Sequence, residues 1–563
     1  MGPSGAGKSS LLNILTGFQT KGMSGKLSSN GRDLKPGASR RLACYIMQED
    51  HLNPLFTVYE TMMHSANLKI GNSLSEKGKQ LIIGDILDTL GLDACRHTRC
   101  SNLSGGQRKR LSIALELMDN PPVMFLDEPT TGLDSRSTVQ LVTMLQGLAR
   151  GGRTIICTIH QPSATIFEMF DQVYVISEGH CVYQGSSCNV VPFLQSVGLQ
   201  CPQYHNPADF LLDLVTGEFG DFTDQLILAA KDPSWRISPR SIYILYILCI
   251  YFSAIVMNFR TGNQHYIKLD NKTEGKACVL ISNQSEWSKV PILLKRTALQ
   301  LHRDWTVTYL KLVLHILVSI LLGLAYLNAG SDADKAISNL SYILVTIVYL
   351  SFTTLIPASL KLPAEIKVLK KEYFNNWYKF RTFYIAFLLV NIPLQAVFCL
   401  IHVSCAYYLS SQILELDRFL KFLLVTEILV IISETLGLSF GIISKPVNGV
   451  FVSSVMLAVL MLFTGYLVVL PHMPKFYFYL SYVSFLRYCF EAMTVALYGF
   501  GRAPLHCPQT EIYCHFKMPS KILGEMGLVS TNYWTDVGAL LIFVGIFLVY
   551  SYVALNRKLK SRT

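Results

Sequence analysis

Charge is what this sequence is short of. Asp, Glu, Lys and Arg make up 15% of the 563 residues, while hydrophobic residues reach 51%. A typical soluble protein is about 25% charged, so the balance excludes both intrinsic disorder and a wholly soluble enzyme. The 14 cysteines are scattered and form no zinc-finger double pair. That excludes a disulfide scaffold and leaves most of them as reduced thiols or small apolar side chains. Met1 opens no charged-then-apolar signal segment, so the first half is expected to stay in the cytosol, with the first apolar span acting as insertion signal. No internal repeat is evident. Acidic residues are outnumbered, 38 against 49 Lys and Arg, for a net charge of +11. Such an excess fits nucleic acid or the cytoplasmic face of a membrane protein, and the position of the charges decides between them.

The composition divides the chain. Residues 1–216 alternate short apolar runs, such as 123–128 and 153–160, with helical stretches and Gly-rich turns, the rhythm of an α/β domain. Residues 306–563 carry six apolar windows, at 306–327, 340–360, 383–403, 419–443, 449–470 and 537–555. At 1.5 Å per residue each is long enough to cross a hydrocarbon core of about 30 Å. Lys361, Lys367, Lys370, Lys371, Lys379 and Arg381 lie between spans two and three, and Arg557, Lys558, Lys560 and Arg562 follow span six. Both segments are therefore expected in the cytoplasm, with both termini inside and the segment 471–536 outside. Charge at these positions argues for a membrane and against nucleic acid. Residues 217–290 read as a linker holding an anomalous apolar insert, 241–258, for which a membrane-surface helix, a packed helix or a misassembled stretch of gene sequence is favoured over a crossing, because a crossing would invert every later loop.

The chemistry begins at Gly2-Pro3-Ser4-Gly5-Ala6-Gly7-Lys8-Ser9, which fits the phosphate-loop pattern and runs through Ser10 into a helical stretch. Glycines let backbone N–H groups turn toward phosphate oxygens at a helix N-terminus. Lys8 is expected on the β- and γ-phosphates of ATP and Ser9 on Mg2+. Leu103-Ser104-Gly105-Gly106-Gln107 precedes another helix, and Asp127 and Glu128 close an apolar strand. A strand-end Asp suits Mg2+, and the adjacent carboxylate suits activation of the attacking water.

The ordered set of phosphate loop, Gln48, Ser104 to Gln107, Asp127-Glu128, Asp134 and His160 resembles the ATP-binding cassette (ABC) ATPases over nearly all of residues 1–215. The fold this implies is an α/β P-loop ATPase cassette followed by an all-α domain of six transmembrane helices. The resemblance implies that Gln48 contacts Mg2+ or the attacking water, that His160 contacts the γ-phosphate and that Asp134 lies in a loop crossing to a partner. It also implies that Ser104, Gly105, Gly106 and Gln107 bind ATP held on a second copy. One chain carries one phosphate loop and one such signature, so a homodimer or heterodimer is expected.

The cassette-first order and Asn206-Pro207-Ala208-Asp209-Phe210 resemble the G subfamily, which includes sterol exporters and insect pigment-precursor transporters. Segments 44–50, 104–117 and 156–175 resemble its sterol-exporting members most. The expectation is an ATP-driven half-transporter of sterol or other lipid in the plasma membrane or a vesicle membrane, with a pigment-precursor transporter or an impaired partner subunit as alternatives. The family has a strand and an adenine-stacking aromatic before the phosphate loop, so a truncated start, an incomplete sheet and an unpaired edge are expected.

Residues 291–305 resemble the family's amphipathic connecting helix, and the loop 361–381 is expected to dock on the cassette, with Glu365 pairing a cassette cation. Within span four, Glu427 and Glu434 fall on one helix face as candidates for a polar network or a buried pair. The apolar segment 475–493 resembles re-entrant helices, where Arg487 and Glu491 are spaced to pair. Cys507 and Cys514 are expected on the oxidising side as a disulfide, with free thiols as the alternative. Asn339 opens a glycosylation sequon close to a membrane edge; Asn271 and Asn283 open two more in the expected cytosolic part.

Overall fold

Three four-residue runs, Ala43–Ile46, Val123–Leu126 and Thr154–Cys157, pair side by side as a parallel sheet, Ala43 opposite Val123 and Val123 opposite Thr154. Apolar residues fill the central run, as a parallel strand covered on both faces requires. The structure is a computed structural model that describes residues 1–19, 22–25, 27–29, 32–33, 43–236, 266–268, 278–280, 284–509 and 513–560. The insert 241–258 and the sequons at Asn271 and Asn283 lie outside the described residues.

The chain divides into two units, Met1–Lys289 with Lys371–Lys379, and Val290–Lys370 with Phe380–Thr563. In the first, an antiparallel pair, Val173–Ser177 and His180–Gly185, builds a second small sheet. Met1 joins it: its amino group donates to the Tyr174 carbonyl at 2.7 Å and its carbonyl accepts from the Ile176 N–H at 3.0 Å. Among the described residues the strand Thr154–Cys157 pairs only with Val123–Leu126, so this edge of the three-stranded sheet has no second partner strand, as expected. Val175, Tyr183, Phe193, Phe210 and Leu211 form the apolar cluster on this pair. Leu226 and Ala230 belong to the same cluster, and the Ser186 N–H donates to the Trp235 carbonyl at 3.0 Å. The cassette core thus runs past the expected boundary at 216, because the helix Thr223–Ala229 has an apolar side chain to bury.

Among the described residues of the second unit, four helices are long and apolar enough to cross a membrane: Thr308–Ala325, Ala336–Phe374, Phe380–Leu409 and Tyr533–Lys560. Leu416–Ile443, 28 residues, is buried along most of its last three turns. Two differences from the sequence reading stand out. Pro446–Met461 ends after 16 residues, about 24 Å at 1.5 Å per residue, where 449–470 was expected to continue. Beyond it come turns, and Gly465 takes φ +85°, a conformation that a continuing helix of L-residues does not tolerate. Conversely, Ala336–Phe374 extends 39 residues through Pro357 and Pro363 into what was read as a loop.

The expected outer segment contains a helix, Phe485–Tyr498, whose 14 residues are nearly all buried in the main apolar cluster of this unit. Its C-terminal carbonyls lack intrahelical partners, as at every helix end. Arg418 supplies them: its guanidinium donates to Ala496, Gly499 and Phe500 carbonyls at 3.2, 2.7 and 3.0 Å, and to Glu415 at 2.7 Å. Arg487 Nε donates to Glu491 Oε1 at 2.6 Å, and Cys507 and Cys514 are joined as a disulfide. Glu365 accepts from Gln300 at 3.1 Å and lies 3.5 Å from Lys361. Lys361 is one turn away on the same helix, and Gln300 lies on the helix Glu286–Arg303.

Candidate functional site

The phosphate loop bends because three glycines permit it. Gly2, Gly5 and Gly7 have φ of +152°, +83° and +101°, and Gly7 is the residue before the helix Lys8–Leu15. A Cβ added at Gly5 or Gly7 would meet nothing within 4 Å, whereas one at Gly2 would lie 2.2 Å from the Ile176 carbonyl oxygen. The loop is therefore seated at Gly2 and open at Gly5 and Gly7, the arrangement that lets a phosphate approach the backbone. Lys8 is buried, and its ammonium donates to the Gly2 and Pro3 carbonyls at 2.8 and 3.0 Å. Pro3, Ser4 and Ala6 complete the turn, and Ser10 follows Ser9 in the helix.

The remaining groups stand just beyond the C-terminal ends of the three parallel strands, the end at which open α/β sheets bind ligands. Asp127 follows the central strand and is buried. Its Oδ1 accepts from Ser9 Oγ at 3.0 Å and from Thr158 Oγ1 at 2.6 Å, and its Oδ2 accepts from the Tyr45 hydroxyl at 3.2 Å. Burial, then the charge of Asp127, push the Tyr45 phenol well above its ordinary pKa, so it acts as a neutral donor. Glu128 takes φ +43°, uncommon for a residue with a side chain, and its N–H donates to Thr158 Oγ1 at 2.8 Å. Its Oε2 accepts from Gln48 Nε2 at 2.8 Å and from Thr131 Oγ1 at 3.1 Å. Glu128, Thr130, Thr131, His160 and Gln161 line one cavity of about 380 Å³. His160 and Glu128 thus line one space.

The donors fit nucleotide and Mg2+. Ser9 Oγ and the Asp127 carboxylate are adjacent hard oxygens of the kind Mg2+ takes beside phosphate and water. The open cradle at Gly5 and Gly7 suits the phosphate chain.

Ser104 belongs to a different surface. It caps the helix Gly105–Leu117: the Gln107 N–H donates to Ser104 Oγ at 3.3 Å and the Ser104 N–H to Gln107 Oε1 at 2.9 Å. Ser104 and Gly105 are exposed, while Gly106 packs so closely that an added Cβ would lie 3.2 Å from that of Ser137. Asp134 caps the helix Ser135–Arg150 through the Ser137 N–H at 3.1 Å. Hydrogen bonding by Ser137 holds its carboxyl below the usual range. The signature helix also reaches the strand ends through Lys109, whose ammonium donates to the Gln48 carbonyl at 2.7 Å and pairs with Asp50 at 3.0 Å.

Sequence reasoning missed Thr158, Tyr45, Thr131 and Lys109. Thr158 stands two residues before His160, a usable signal; the others acquire their roles only by folding. It also missed Lys311, His315 and His402 within the apolar helices, although buried ionisable groups in such helices mark polar contacts. Lys311 donates to Gln395, and the His402 ring stacks 4.5 Å from that of Tyr349. Of the two span-four glutamates, Glu434 is buried within the helical unit. Asn206 Nδ2 donates to the Pro162 carbonyl at 2.9 Å, tying the motif at 206–210 to the loop that carries His160.

Comparison with known proteins extends the same picture over the chain. Residues 1–131 match the family described as ABC transporter, and residues 160–228 and 289–498 match families described as ABC-2 type transporter. "ABC transporter G family member 26" of Arabidopsis thaliana is 32% identical over 89% of this chain and 73% of its own length. Member 21 of the same plant is 29% identical over 99% and 83%. "ABC transporter G family member 1" of Dictyostelium discoideum is 26% identical over 100% and 80%. A phosphate-binding ATPase unit followed by a helical unit rich in apolar spans, matched by these relatives along almost its whole length, makes this chain a member of the G family of ABC transporters, an ATPase coupled to membrane transport.

Proposed function

We propose that the chain is a half-transporter that works as a dimer and moves sterol or another lipid, hydrolysing ATP with Mg2+ at two composite sites. The observation that carries the catalytic reading is the gathering of Ser9, Asp127, Thr158, Gln48 and Glu128 beyond three adjacent strand ends. Mg2+ neutralises phosphate charge when bound. Lys8 and the loop Gly2 to Ser10 hold the phosphates, Ser9 and Asp127 offer the metal oxygens, and Gln48 orients Glu128. Glu128 takes the proton of the attacking water and His160 contacts the γ-phosphate. The dimer reading rests on the exposed Ser104 and Gly105 beginning a helix of their own, with Gly106, Gln107 and Asp134 beside them, on a chain with one phosphate loop. The lipid reading rests on the resemblance of segments 44–50, 104–117 and 156–175 to sterol exporters. Six crossings with both termini cytoplasmic, in the plasma membrane or a vesicle membrane, complete the reading.

The test is ATPase activity of the full chain in liposomes, with sterols, phospholipids and pigment precursors as separate additions. Stimulation by sterol or phospholipid, abolished by Glu128→Gln, is expected. Stimulation by pigment precursors alone removes the lipid reading, and undiminished hydrolysis by Glu128→Gln removes the role given to Glu128.

A further inference from the structure

The segment Lys371–Lys379, which joins the helices ending at Phe374 and beginning at Phe380, belongs to the cassette unit. Part of it engages one residue of the strand Ala43–Ile46. The Tyr45 N–H donates to Asn375 Oδ1 at 2.9 Å, and Asn375 Nδ2 donates to the Tyr45 carbonyl at 3.0 Å. Among the described residues that strand is an outer member of the three-stranded sheet, and the Tyr45 backbone groups face away from its partner strand, toward which the next residue, Ile46, turns its carbonyl. For one residue the Asn375 amide takes the place of a neighbouring strand, satisfying a donor and an acceptor that would otherwise be bare. Phe374 packs edge-on against the Tyr45 ring, with centroids 5.7 Å apart.

The other end of Tyr45 is at the carboxylate read above as the metal ligand. Asp127 Oδ1 has Ser9 and Thr158, and Oδ2 has the Tyr45 hydroxyl, which also lies 3.1 Å from the Asn13 side chain. Tyr45 is 4% exposed and cannot shift its hydroxyl without moving ring or backbone. We propose that Tyr45 is a positioning residue for the Mg2+-binding carboxylate of Asp127, and that Asn375 governs it, so that the segment joining two apolar helices is read at the metal site two side chains away. Coupling of this kind is reciprocal: metal and nucleotide that fix Asp127 fix the Tyr45–Asn375 contact equally. The inference rests on the assignment of Asp127 to Mg2+.

The test uses the full chain in detergent and a fluorescent, non-hydrolysable ATP analogue, titrated in chelator-buffered Mg2+. The readout is the Mg2+ concentration giving half-maximal tightening, beside the affinity for the analogue without metal. Tyr45→Phe keeps the ring and the Asn375 contact and removes one hydrogen bond to a charged group. It is expected to raise the half-maximal Mg2+ by about tenfold, with metal-free affinity within about twofold. Asn375→Ala, or Asn375→Ser if its yield falls, is expected to act in the same direction by a smaller factor. The double variant is expected to be no worse than Tyr45→Phe alone, since both act through one residue. An unchanged Mg2+ midpoint in Tyr45→Phe overturns the proposal, and strictly multiplicative effects in the double variant overturn the part given to Asn375. Asp127→Asn is the reference: if it too leaves the midpoint unchanged, the metal assignment fails rather than the role of Tyr45.

Discussion

Thr158 does more at the site than its position in the sequence suggests. One hydroxyl donates to Asp127 Oδ1 at 2.6 Å and accepts from the Glu128 N–H at 2.8 Å, linking the two carboxylate residues that follow the central strand. Thr158→Val keeps the shape and removes both bonds, each worth about 1–3 kcal/mol when a buried partner is left bare. ATPase turnover of the purified chain should fall by about one to two orders of magnitude with little change in expression, since 1.4 kcal/mol is about tenfold. Asn339 makes the opposite point. Its sequon reads as a glycosylation site, yet the side chain is fully buried and donates to Tyr498 at 2.7 Å and to Gln412 at 3.3 Å. Treatment with N-glycosidase should leave the mass of a protein fragment containing Asn339 unchanged, and Asn339→Ala should lower the thermal midpoint.

Helices and strands carry their own evidence. The helix Gly105–Leu117 starts where Ser104 and Gln107 form a reciprocal cap, a local pattern legible in the sequence. What it packs against is not legible. Its Glu116 is fully buried and pairs with Lys69 at 2.6 Å, while Lys69 also reaches Asp119 at 2.9 Å and lies over the Trp377 ring. Burial alone would lower the Lys69 pKa; Asp119 and Glu116 outweigh it and raise it, so this lysine is charged throughout the physiological range. Removing one member of a buried pair strands the other, at about 3–5 kcal/mol. Lys69→Met should therefore lower the thermal midpoint of the purified chain markedly, and Lys69→Met with Glu116→Leu should recover much of the loss. In the helical unit Arg418 caps Phe485–Tyr498 across more than 60 residues of sequence, and no periodicity announces such a contact.

At the scale of the proposed dimer, the exposed Ser104 gives a test. If each ATP lies between one chain's phosphate loop and another's signature, Lys8→Ala and Ser104→Arg should each inactivate a homodimer. Co-expressed with different tags and purified through both, the two variants should recover part of the ATPase activity, because one composite site then holds an intact Lys8 and an intact Ser104. Complete inactivity of well-folded mixed dimers would count against composite sites.

Contiguous motifs carried most of the catalytic reading. The phosphate loop, the signature cap and the Asp127-Glu128 strand end are each made by residues adjacent in the chain, whose backbone geometry follows from glycine, capping and strand propensity. Apolar windows announced the helical unit for the same reason, since burial in lipid depends on local composition. Folding alone decided which hydroxyls reach Asp127, that residues 371–379 count with the cassette, and that the fifth apolar helix stops at Met461. Those outcomes depend on side chains brought together from distant positions, and the packing that selects them is a property of the folded chain that no single stretch of residues encodes.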